Sequence, residues 1–210
     1  MPALSSGLVK SLARPGSNIT GVSVDTGVEI AGKRLQILKE AVPSATSAAY
    51  LDVGLVPKGA VTGYLADVSQ RLGISLRVMP VKEAIRAEYE RVFEEMVQQK
   101  IDAVLISDGG EPLAFRHLIA QLAQQHGLPT MCAALDYVEV GGFIAYAADP
   151  TAVFDRVADD LHQIFKGTAP GIIPIVQPTT FKLVINLITA KALNLTLPAT
   201  LLAGADGVIE

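Results

Sequence analysis

Apolar positions along this chain alternate between two periods. In EIAGKRLQILKEAVP, Ala31, Leu35, Leu38 and Val42 recur at helical spacing and Pro43 ends the run; SAAYLDV follows with the composition of a strand. GAVTGYLADVSQRLG repeats the helical period through Val61, Leu65, Val68 and Leu72 and stops at Gly73. In ISLRVMPV the residues Ile74, Leu76 and Val78 alternate as a half-buried strand would. The next cycle predicts a charged amphipathic helix, EAIRAEYERVFEEMVQQK, with Ile85, Tyr89, Val92 and Met96 inward. After it comes a continuous apolar strand, IDAVLIS, of the kind buried on both faces of a parallel sheet. DGGEPLAFRHLIAQLAQQHG reads as one helix ended by Gly127, then LPTMCAAL and GGFIAYAA as strands. Asp149 and Pro150 read as N-cap and N1 of the helix PTAVFDRVADDLHQIFKG. At the start, SSGLVKSLARPGSN predicts a short helix stopped by Pro15 and Gly16, and ITGVSV a short strand.

Strands alternating with helices across short Gly/Pro connections predict an α/β fold with a doubly wound parallel sheet and helices on both faces. The strands are expected near residues 48–53, 74–79, 101–106 and 128–133. At 210 residues the chain is long enough for one large domain or two small lobes. Half of it is hydrophobic and 18% charged, with 18 glycines and 12 prolines, an ordinary globular composition. With a net charge of −4 and no lysine or arginine cluster, a nucleic-acid groove is not expected. No apolar run is long enough to span a bilayer, and MPALSSGLVKSLARPGSN lacks the basic start and apolar core of a signal peptide. Taken alone, the chain is expected to be soluble and to stay where it is made.

Enzyme signatures are missing: there is no GxGxxG, GxxxxGK[ST], GxSxG, HExxH or CxxC, and no metal or other cofactor is called for. His117, His126 and His162 fall on predicted polar helix faces without a carboxylate or cysteine at ligand spacing. Cys132, in LPTMCAAL, reads as a buried strand thiol rather than a nucleophile. Neighbouring helix residues do not face each other, so Glu94-Glu95 and Asp159-Asp160 read as solvated faces rather than catalytic dyads.

Ligand candidates are therefore the loops after strands, since open α/β sheets bind ligands beyond the carboxyl ends of their strands. These loops are Asp52–Val56, Ser107–Gly110 and Ala133–Asp136. The candidate ligand-binding residues are Asp52, Ser107, Asp108, Gly109, Gly110, Ala133 and Asp136. Tyr146 and Asp149, at the end of GGFIAYAAD, could line the same cleft. Asp108 either caps the following helix or faces the ligand, and Tyr146 suits burial in the core better than ligand contact.

Several segments, in order, resemble the ABC-transporter substrate-binding protein family, which includes binders of aromatic amino acids. They are GLVKSLARPGSNITGVS, EIAGKRLQILKEAVP, GLPTMCAALDYVEVGGFIAYAADP, QPTTFKLVINLITAKALNLTLP and LLAGADGVIE. The resemblance implies a two-lobed type I periplasmic-binding-protein fold that closes on a small solute without catalysis, with an ABC permease and ATPase as partners. It implies a periplasmic or membrane-anchored lipoprotein location, although this chain shows no signal peptide. Family members begin with that peptide and most of the first lobe's βα units, whereas this chain opens at what resembles that lobe's last helix. Residues 1–24 and 142–175 are then expected to be a partial lobe one, and residues 25–141 and 176–210 lobe two, with IVQPTTF as a hinge crossing. The solute is expected to be small and amino-acid-like or aromatic. Its carboxylate would sit on the amides around Asp108–Gly110 and its ammonium on Asp136 or Asp149. With one jaw partial, weak binding or none is expected, as is self-association through exposed lobe-one surface. The competing expectation is a cytoplasmic ligand-sensing regulatory module of the same fold, though no helix-turn-helix accompanies it. A weaker one is a small α/β enzyme with Asp108 or Asp136 as general base.

Overall fold

The computed structural model describes residues 7–23, 27–53 and 58–210. The candidate loop positions up to Val56 that follow Val53 lie outside the described residues. The chain divides into two units, Met1–Gly27 with Ala148–Phe181 and Val28–Ala147 with Lys182–Glu210.

In the larger unit the two apolar periods become alternating layers. Its helices on one side are α1 (Val28–Ala41) and α2 (Lys58–Leu72), with α8 (Leu187–Ala192) and α9 (Ala199–Ala203) near the C-terminus. On the other side lie α3 (Arg86–Gln98), α4 (Gly110–Ala114), α5 (Arg116–Gln125) and α6 (Asp136–Glu139). Between them runs a seven-stranded sheet of order β2-β1-β3-β4-β5-β6-β7. Its strands are β1 (Ser47–Val53), β2 (Ser75–Val81), β3 (Ala103–Ile106), β4 (Thr130–Cys132), β5 (Ile144–Ala148), β6 (Phe181–Asn186) and β7 (Gly207–Ile209). The pairs β1–β2, β1–β3, β3–β4, β4–β5 and β6–β7 are all parallel, as the alternation predicts. Strand side chains alternate between faces, so β1 sends Ala48 and Tyr50 into the core under α1 and α2, and Ala49, Leu51 and Val53 into the core under α3 and α5.

Several local expectations need correction. β2 is an edge strand, so Val78 is exposed and Met79 and Val81 are the buried residues; the edge also admits Pro80, which has no amide for a ladder. Ile85 is exposed at the N-cap of α3, and Phe93 takes the inward place beside Tyr89, Val92 and Met96. The single helix expected after β3 is broken at Phe115 into α4 and α5.

The QPTTFKLVINLITAKALNLTLP tail turns from strand to helix at one residue. Asn186 ends β6 and caps α8: its Oδ1 accepts from Thr189 N at 2.9 Å while its Nδ2 donates to Val138 O at 3.0 Å. Asn186 is buried, so Asn186→Ala removes the cap and one of the bonds to that carbonyl. The expected cost is about 1–2 kcal/mol, read as a lower urea midpoint at unchanged slope.

At the opposite sheet end, Asp102 Oδ2 accepts from Thr46 N and Oγ1 and from Ser47 N and Oγ, at 2.8 to 3.0 Å. Burial alone would raise this carboxyl, but the bonds from Thr46 and Ser47 outweigh it and hold it below the usual range. The unfolded chain therefore binds the proton more readily. The stability from this carboxylate is fully present above the ordinary aspartate range and is lost as pH falls through it toward the depressed folded value. Thermal unfolding followed from pH 6 down to about pH 3 should show this loss, and Asp102→Asn should lack that part of the acid sensitivity.

The smaller unit holds α7 (Pro150–Phe165), whose N-cap Asp149 accepts from Thr151 N at 3.0 Å, with Pro150 in the first turn as the sequence predicts. Residues 7–16 form turns rather than the expected helix. Their polar backbone groups bond elsewhere: Gly16 N donates to Gly171 O at 2.9 Å and Leu12 O accepts from Ile175 N at 2.8 Å. ITGVSV contributes only the isolated parallel bridge Val22–Val176 among its described residues. Asp160 is also unlike the solvated acid expected: it is buried and lies 2.8 Å from Arg156.

Candidate functional site

β1 has β2 on one side and β3 on the other, so the strand order reverses at the β1/β3 boundary. That topological switch point leaves a crevice beyond the carboxyl ends of the strands. Leu51 is in register with Ile106, Leu105 with Met131, and Cys132 with Ala145. Carried one residue further, or two between β3 and β4, the register sets Asp52, Ser107, Ala133 and Tyr146 side by side across four adjacent strands, on the α1 side of the sheet. These sequence candidates thus share one row.

Arg34 of α1 ties that row together. Its side chain is 2% exposed. Nε donates to Tyr146 O at 2.7 Å, Nη1 to Asp108 Oδ2 at 2.5 Å and Nη2 to Ala133 O at 3.4 Å. One guanidinium fork therefore fixes the ends of β3, β4 and β5. The sequence reading passed over Arg34, yet its spacing gave a signal: three residues after Ala31 and four before Leu38, it falls on the inward stripe of α1.

Asp108 neither caps the following helix nor stands free. The N-cap of α4 is Gly109, at φ 149°, with no side-chain cap bond, and the Asp108 carboxylate is held by Arg34. Gly109 and Gly110 are exposed, and α4 has only five residues, too short a helix for its dipole to place an anion there. Ser107 is buried; its Oγ accepts from Val53 N at 3.2 Å, which locks the switch point on the β3 side.

Asp52 is the unmatched group. It is 6% exposed, and its Oδ2 has no hydrogen-bond partner among the described residues. Tyr50, on the same face of β1, has its hydroxyl pushed up by burial and then by the charges of Asp52 and Asp108, against a lowering from Arg34. Tyr50, Asp52, Asp108 and Arg34 are thus close enough to form one electrostatic cluster.

Asp136 is exposed at the start of α6, and Asp149 belongs to the smaller unit, where it caps α7. The Tyr146 side chain is half-buried against the α1-side core. The Cys132 thiol is fully buried and pushed up to about 12, chiefly by burial, which suits the strand cysteine expected rather than a nucleophile. His117 and His162 are exposed, while His126 is half-buried and stacked on Phe93. No group of three or more His, Cys, Asp or Glu residues that could hold a metal ion occurs among the described residues. No helix there is long and apolar enough to cross a membrane. A shallow depression of about 500 Å³ around Leu187, Lys191 and Leu202 shares no residue with the Arg34 cluster.

Comparison with known proteins agrees with this architecture. The model of a family described as ABC transporter substrate binding protein matches residues 2–209. No curated protein matches the chain. Among solved structures, an ABC domain from Streptococcus pneumoniae in complex with L-Trp is similar at 23% identity and a TM-score of 0.84, over 99% of this chain and 68% of that one. A conserved domain protein from Vibrio cholerae shares 24% identity at a TM-score of 0.82, over 98% of this chain and 68% of its own. The ligand-free, open form of a substrate binding protein with adhesive properties from Clostridium difficile is similar at 18% identity and a TM-score of 0.68, with 99% and 68% covered. At these identities the likenesses show the fold.

Proposed function

Because the chain belongs to the ABC transporter substrate-binding protein family, we propose that it binds an amino-acid-like solute for an ABC importer and receives the solute's ammonium group on Asp52. The observation that carries this reading is the buried Asp52 Oδ2, which has no partner among the described residues, at the switch point of the sheet. A buried carboxylate without a counter-charge costs several kcal/mol, and a cationic ligand group supplies the missing partner. Among the described residues the hydroxyls of Tyr89 and Tyr137 and the carboxylate of Asp160 also make no hydrogen bond, but a neutral hydroxyl is far cheaper to bury and Asp160 has the Arg156 charge 2.8 Å away.

Asp52 suits the ammonium better than the two acids favoured from sequence: Asp136 is solvated and Asp149 already accepts at its helix start. Arg34 neutralises Asp108, which leaves Asp52 as the uncompensated charge of the cluster. Binding of L-Trp by the pneumococcal relative supports an amino-acid-like or aromatic solute class. In this reading the two units correspond to the two lobes of the fold, the protein works outside the cytoplasm, and its partners are an ABC permease and ATPase. It carries out no chemistry on the solute.

Isothermal titration with a panel of amino acids and their deaminated analogues tests the reading. At least one amino acid should bind, and its analogue lacking the ammonium should bind at least about tenfold more weakly. Equal affinity for the two would remove Asp52 from the site.

A further inference from the structure

Helix α7 of the smaller unit is amphipathic with its apolar side outward. Phe154, Val157, Leu161 and Phe165 recur at helical spacing and are 71%, 36%, 47% and 85% exposed. On the inner side the buried residue is Asp160, paired with Arg156, whose Nη2 also donates to Pro174 O at 3.3 Å. Nothing among the described residues covers the apolar stripe. Monomeric soluble proteins seldom leave such a row open.

The flank of the stripe carries a pattern of its own. Asp155, Asp159, His162 and Lys166 are all exposed and fall on one side of it, acids toward the N-terminus and bases toward the C-terminus. In a two-fold pair running parallel, this flank of one copy would meet the opposite flank of the other rather than itself. Against an identical helix running antiparallel about a two-fold axis near Leu161, Asp155 lies opposite Lys166 and Asp159 opposite His162, and the helix dipoles oppose as well. The flank is then self-complementary in charge.

We propose that α7 is a self-association surface on which a second copy of this chain lays its own α7 antiparallel. Four apolar side chains per copy fall short of the roughly 1,200 Å² of total area that stable interfaces bury, so the dimer is weak and concentration-dependent.

Sedimentation velocity over a concentration series, from about 5 µM to 500 µM, tests this. The expected result is a monomer–dimer equilibrium that Phe154→Ser/Phe165→Ser abolishes while circular dichroism stays unchanged, because both side chains are solvent-exposed. Asp155→Lys should weaken the dimer about threefold or more, and Asp155→Lys combined with Lys166→Asp should restore it. A monomer at every concentration overturns the proposal, as does a dimer indifferent to the double serine variant. So does a defined complex in which another polypeptide, such as one supplying the third of the fold that the structural relatives carry beyond this chain, covers the stripe. A dimer lost with the serines but unmoved by Asp155→Lys overturns the antiparallel register.

Discussion

Arg34→Ala is expected to lower the stability of the larger unit by about 3 kcal/mol or more, a large fraction of the 5–15 kcal/mol that holds a typical domain folded. The substitution removes the donors that Tyr146 O, Ala133 O and Asp108 Oδ2 share, and empties the space of a side chain that is 2% exposed. The two carbonyls are left short of a partner within the protein, at about 1–3 kcal/mol for each such group. The Asp108 side chain is 50% exposed and can turn to water, so it adds little. Arg34→Met separates the contributions: it keeps most of the stem volume, and so should lose the polar part alone. Arg34→Lys should fall between, because an ammonium cannot span three acceptors in one plane. Urea unfolding of the three variants decides. If alanine and methionine both stay within about 0.5 kcal/mol of the parent, the guanidinium is not what ties the strand ends together.

The sheet was legible in the sequence because its physics is periodic. β1 and β4 announce themselves as short apolar runs after proline- or glycine-marked helix ends and β3 as one before Gly109-Gly110, and Leu35, Leu38, Leu65 and Met96 sit where a period of 3.6 puts them. Several of the failures depended on surroundings that no local pattern records. Whether Val78 is buried depends on β2 being an edge, which no local pattern records. Residues 7–16 carry a plausible helical period, but their backbone bonds with residues 171–175 decide otherwise. Asp160 reads as solvated until Arg156 and the fold of the smaller unit close over it. For the site, strand ends could be named one by one, because the rule that ligands gather there is topological. That Asp52, Ser107, Ala133 and Tyr146 form one row required the register, and that Arg34 serves three of those strand ends required coordinates.

Asp52→Asn is expected to move stability and binding in opposite directions, which separates a binding carboxylate from a structural one. Without a solute, the carboxylate is buried with one oxygen unpartnered among the described residues, so replacing it by a neutral amide of the same shape relieves a charge-burial cost. The unliganded protein should gain about 1–2 kcal/mol, seen as a higher urea midpoint. The same change removes the charge that receives an ammonium, and a charge-assisted hydrogen bond is worth roughly 1.5–3 kcal/mol, so amino-acid affinity should fall about tenfold or more. A deaminated analogue, having no ammonium to lose, should bind parent and variant alike. Added solute should also stabilise the parent more than the variant, because only the parent couples folding to that contact. Loss of stability with unchanged affinity would mean that Asp52 has a structural partner and that the solute is held elsewhere. A gain in stability with unchanged affinity would place the ammonium on another acid, and Asp136→Asn and Asp149→Asn are then the variants to titrate.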